Sequence, residues 1–181
     1  MKRIVLNSLL CVCAASAGQA YAAMDEGMQQ YRESLAGAHS TFKADLAHCG
    51  QLKGQERDLC KAQAKAVHRK ATADAIAAQR NTPQARVDAR IAAADADYDV
   101  ASTACKADRG NERAACMKQA KEARMTATRQ AAADLQLTES RNRAKEQKRR
   151  DYYRASRAKC DALAGAAKEA CMTLARAQYG E

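Results

Sequence analysis

The chain has 181 residues, a formal net charge of +10, 4 % aromatic residues and no tryptophan. From residue 23 onward there are 8 Leu, 2 Ile, 3 Val and 1 Phe, whereas alanine occupies 40 of 159 positions. So little bulky apolar material excludes a large hydrophobic core and an enclosed ligand cavity, while one proline and abundant Ala, Lys, Arg, Gln and Glu favour long helices.

The first element is an export signal. Met1, Lys2 and Arg3 make a basic start, residues 4–17 are largely apolar, and Ala20-Tyr21-Ala22 has the small-x-small form that signal peptidase reads. The apolar run is shorter than the ~20 residues a membrane-spanning helix needs. Cleavage after Ala22 is expected, removing 1–22 together with Cys11 and Cys13. The remaining chain has no transmembrane segment and is expected to be periplasmic or secreted, with a net charge of +8 once Lys2 and Arg3 are gone.

The remaining six cysteines form three pairs of one spacing, Cys49 and Cys60, Cys105 and Cys116, Cys160 and Cys171. Each pair has ten residues between its members and a glycine five positions after the first: Gly54, Gly110 and Gly165. The pairs recur 55 to 56 residues apart, the signature of one unit used three times. An even cysteine count in an oxidising compartment points to disulfides. The spacing predicts three antiparallel helical hairpins in an all-α fold, each closed by one bridge: 23–81, 82–138 and 139–181. Axes ~8–10 Å apart leave facing α-carbons roughly 3.5–5.5 Å apart, near the ~4.4–6.8 Å that a disulfide spans. Gly110 is expected to end a helix in the left-handed conformation, with Asn111 capping the next and Glu112 in its first turn.

In the first hairpin, Phe42, Ala38, Leu35 and Tyr31 share the face of Cys49 and should meet Ala64, Val67 and Ala71. In the second, Tyr98, Ala94, Ile91 and Val87 should meet Ala120, Ala123 and Ala127. Phe42, Tyr98 and Tyr153, each seven residues before its cysteine, read as plugs beneath the bridges. Asn81-Thr82-Pro83 marks the first boundary, with Thr82 as cap and Pro83 as first helical residue.

The third unit departs from this pattern. Its equivalent positions are Tyr153, Arg149, Glu146 and Asn142, so the apolar stripe stops after one turn. Residues 141–159 hold nine basic and two acidic residues. Nothing between Leu135 and Arg141 breaks a helix, so residues 113–160 are expected to run unbroken. Arg141, Arg143, Lys145, Lys148, Arg149, Arg150 and Arg154, beside Tyr152 and Tyr153, form a candidate face for anionic cell-envelope components or another envelope protein. Nucleic acid is a poor fit, because export separates the chain from it and no binding motif is present.

All three histidines lie in the first unit. His39 and His68 rotate to the same side of their hairpin at nearly the same height, which makes them candidate metal ligands. No carboxylate accompanies them, and bridged cysteines supply no thiolate, so a four-ligand zinc set is incomplete. Catalytic patterns are wanting as well: there is no nucleophilic triad in context, no glycine-rich phosphate loop and no closely spaced redox cysteine pair. A non-enzymatic protein without a cofactor is expected.

The pattern aromatic-x6-Cys-x4-Gly-x5-Cys followed by an Ala/Lys-rich helix resembles exported, Ala-rich proteins of beta-proteobacteria, often labelled TolA-like cell-envelope proteins. The resemblance spans residues 31–179 and rests on composition and the cysteine frame. It implies a structural or binding role in the envelope and carries no catalytic residues. The alternative is a periplasmic metal-binding or stress protein using the histidines of the first hairpin.

Overall fold

The computed structural model describes residues 15–180, with side chains from residue 26. Cys11 and Cys13 lie outside the described residues, and the side chains of the expected leader, 1–22, lie outside them too. The elements are α1 (Ala15–Cys49), α2 (Gly54–Arg80), α3 (Pro83–Ala104), a short 3-10 turn (Cys105–Ala107), α4 (Gly110–Asp161) and α5 (Gly165–Tyr179). The fold is all-α, and the described residues contain no strand. Residues 113–160 lie within one helix, α4, as the absence of breakers predicts. No described helix is long and apolar enough to cross a membrane.

Three bridges close the hairpins as the spacing predicts. Cys49–Cys60 joins α1 to α2, Cys105–Cys116 joins the 3-10 turn to α4, and Cys160–Cys171 joins α4 to α5. Their Cα–Cα distances are 5.5, 5.7 and 5.6 Å, at or just above the upper end expected for antiparallel helices in contact and inside the ~4.4–6.8 Å that a disulfide spans.

The local turn differs from the expected one. Gly54, Gly110 and Gly165 are left-handed, with φ of +56°, +53° and +58°, but each opens the returning helix instead of closing the outgoing one. The residue before is extended, as at Lys53 (φ −131°, ψ 157°) and Ala164 (φ −127°, ψ 158°). An extended residue followed by a left-handed one reverses the chain within four residues, and only glycine adopts the second conformation without strain. Asn111 is therefore inside α4 and does not cap it. The boundary at Pro83 follows expectation. Asn81 closes α2 in the left-handed conformation, its N–H bonded to Ala77 O, and Thr82 Oγ1 accepts from Ala85 N at 3.1 Å.

The chain divides into two compact units, Met1–Ala131 and Ala132–Glu181, with the boundary inside α4. In the first unit, α2 packs on α1 by one face and on α3 by the other. The α1 stripe Tyr31, Leu35, Ala38, Phe42, Leu46 and Cys49 is withdrawn from solvent, as its phase predicts. The α2–α3 seam is built on Ala73, Ala77, Ala85 and Ala89. Alanine brings backbones close together, and that closeness decides where larger groups go.

Two expectations fail for this reason. Val67 is 51 % exposed, and His68 takes its place against Phe42, at 4.8 Å between ring centroids. Because α2 offers opposite faces to α1 and α3, Val67 falls on the edge between them. Phe42, Tyr98 and Tyr153 are half-buried and plug nothing. The largest fully buried side chains among the described residues are instead Cys49, Cys105 and Cys160, because alanine-lined helices leave no room for a ring between their axes. In the second hairpin Ala120 is buried and Ala127 half-buried, while Ala123 is exposed, with Arg124 reaching over the Tyr98 ring at 5.5 Å.

Candidate functional site

The basic segment of α4 lies in the second unit, and its cations divide by helical phase. Glu146, Arg149, Tyr153, Ser156 and Cys160 are the partly or fully buried positions of this stretch, forming the face that leads to the bridge. Among the described residues of this unit only Cys160 and, from α5, Ala175 are buried outright, so an ion pair occupies the place where the first hairpin has Leu35 and Ala38. Arg149 donates from Nε to Glu146 Oε2 at 3.0 Å and from Nη2 to Oε1 at 2.7 Å, and Arg150 Nε donates to the same Oε1 at 3.0 Å. These hydrogen bonds, Arg149 first and Arg150 second, hold the Glu146 carboxyl down at about 2. Arg149 also lies over Gly180, the left-handed cap of α5, its Nη1 3.2 Å from where a Cβ would stand. A guanidinium there complements the carbonyl end of α5.

The candidate cations thus fall into two sets. Arg143 pairs with Glu139 at 3.8 Å, Arg149 and Arg150 with Glu146, and Arg154 with Asp151. Arg141, Lys145 and Lys148 have no ion-pair partner among the described residues and are exposed to solvent. Their spacing of four and three residues places them within about 60° of one another at 100° per residue, and Tyr152 continues the same line. Tyr152 is 57 % exposed and stacks on Tyr179 of α5, with centroids 6.2 Å apart and planes at 21°. Tyr153 is turned to the packing face and does not share this surface. Sequence reasoning missed Tyr179, whose only signal was its place near the chain end, roughly opposite Tyr152 when counted from the bridge.

At the turn of this hairpin Lys168 Nζ lies 3.0 Å from Asp161 Oδ1. The hydrogen bond from Lys168 lowers the Asp161 carboxyl below its usual range. This pair draws the first turn of α5 toward the end of α4, beside the bridge.

In the first unit His39 and His68 do approach each other, their ring centroids 6.2 Å apart and edge-on. Phe42 covers one side of His68. No group of three or more His, Cys, Asp or Glu able to hold a metal occurs among the described residues.

No protein-family model matches the chain, and no curated protein or solved structure matches it.

Proposed function

We propose that this is an exported, non-enzymatic protein of the cell envelope whose α4 docks on an anionic lipid surface. The observation that carries the reading is the line Arg141, Lys145 and Lys148, exposed, without partners and bordered by Tyr152. Cations already bound to carboxylates lose most of their attraction for a phosphate; these three keep theirs. An aromatic ring at the end of such a line suits the boundary between head groups and water. Three bridged cysteine pairs support an oxidising compartment. The likeness to TolA-like envelope proteins points the same way.

The test is co-sedimentation with vesicles of phosphatidylglycerol in phosphatidylcholine, compared with phosphatidylcholine alone. Each Lys or Arg near an anionic surface contributes about 1 kcal/mol. Arg141→Gln/Lys145→Gln/Lys148→Gln should therefore weaken partitioning on the order of a hundredfold. Added salt should weaken the wild type in the same direction. Arg143→Gln/Arg154→Gln, which removes paired cations, should cost much less. Equal losses from the two variants would leave net charge as the only agent.

The approach of His39 and His68 favours a second reading, capture of a divalent metal by the first hairpin. Zinc titration of wild type against His39→Ala/His68→Ala decides it, and indistinguishable binding removes it.

A further inference from the structure

Between α2 and α3 the first unit holds a groove of about 350 Å³. Two interactions fix its width. Gln55 Nε2 donates to Thr103 O at 2.6 Å near the bridged end, and Arg69 Nη1 meets Asp99 Oδ2 at 3.1 Å further along. Between these two pins α2 carries Lys61 and Lys65, four residues apart and so on one face. On the wall opposite, the one acid lining the groove is Asp99, engaged by Arg69, after which come Ser102, Thr103 and, in the 3-10 turn, Lys106. Lys70, one turn further on, does find a carboxylate, Asp97. Lys61, Lys65 and Lys106 find none among the described residues.

We propose that this groove binds a phosphate group, with Lys61, Lys65 and Lys106 donating to its oxygens from both walls. Charge-assisted hydrogen bonds to a dianion are the strong kind, and three ammonium groups match its charge and its spare lone pairs. Alanines at 62, 66 and 96 make the floor, on which a small organic portion can lie. The volume is at the lower end of the ~300–1,000 Å³ usual for small-molecule sites, which leaves space beyond the phosphate for something the size of a sugar. Because the two pins tie α2 to α3 on either side of the lysines, the groove walls need little ordering on binding. Asp58 also lines the groove and opposes an anion. The site lies in the first unit and does not depend on the lipid-docking line of α4.

The probes are glucose 6-phosphate and inorganic phosphate, titrated calorimetrically into the full chain with its bridges intact. Saturable one-to-one binding is expected. Lys61→Gln/Lys106→Gln should weaken it about tenfold or more, the effect of losing charge-assisted bonds. Asp58→Asn should tighten it, and Lys43→Gln/Lys121→Gln, equal in charge but outside the groove, should leave it unchanged. Tighter binding of glucose 6-phosphate assigns a phosphorylated small molecule, and equal binding of the two probes assigns free phosphate. Failure of both probes to saturate, or equal weakening by the Lys43/Lys121 variant, overturns the proposal. Unchanged helical circular dichroism in each variant separates loss of the site from loss of the fold.

Discussion

Glu146 is only partly covered, yet its carboxyl is held near 2 instead of near 4.5, because two guanidinium groups bond to it. A depressed folded value means its contribution is present above about 4.5 and is lost as the pH falls toward 2. Asp161 is shifted in the same direction by Lys168, so the hairpin of α4 and α5 should loosen on the acid side of this window. Carboxyl NMR titration should give Glu146 a midpoint near 2, rising to the ordinary range in Arg149→Gln/Arg150→Gln. A midpoint unmoved by that double substitution would discard the assignment. The turn glycines make a cleaner conformational case. A Cβ added at Gly54, Gly110 or Gly165 meets nothing within 4 Å, so alanine there costs only the left-handed backbone, about 1–2 kcal/mol each. Urea midpoints of the three single variants measure it.

Helices with so few large side chains are held by the nearness of their backbones. Ala96 is 1 % exposed on the α2-facing side of α3, and Ala85 and Ala89 continue that line. Ala96→Leu should destabilise by about 1–3 kcal/mol through overpacking, although leucine is a good helix former. Thermal unfolding followed by circular dichroism would show it, and an unchanged midpoint would mean the seam is loose. Charge selects the order of the helices. α3 carries Asp95, Asp97 and Asp99, which reach Arg124 of α4, Lys70 of α2 and Arg69 of α2. Exposed pairs of this kind contribute only ~0–1 kcal/mol each, so they choose neighbours more than they add stability.

For the molecule as a whole the bridges carry the largest single contributions, on the order of 3 kcal/mol each in the chain-entropy account, against a typical total of ~5–15. Removing one pair, as in Cys49→Ser/Cys60→Ser, should lower the unfolding midpoint well beyond any surface change made above, and dithiothreitol should do the same to all three hairpins. The frame of cysteines and glycines made these bridges readable in the sequence, since spacing alone fixes which thiols can meet. The stripe on α1 was equally readable, because Tyr31, Leu35 and Phe42 stand out from their neighbours. The α2–α3 seam was not: alanine occupies several faces of both helices, so periodicity cannot tell which of them is covered. The division of the basic face was hidden for a different reason. Seven cations look alike in a sequence, and only the rotamers of Glu139, Glu146 and Asp151 reveal which of them are already engaged.

In each bridge one sulfur-bearing residue is sealed and its partner is partly open: Cys49, Cys105 and Cys160 are inaccessible, while Cys60, Cys116 and Cys171 meet solvent. An incoming glutathione thiolate therefore attacks the later cysteine and expels the earlier one as the leaving group. The displaced sulfur stays enclosed against the adduct and can evict glutathione again, so a brief reducing episode heals itself, and mass spectrometry should find the adduct on the later cysteine of each pair.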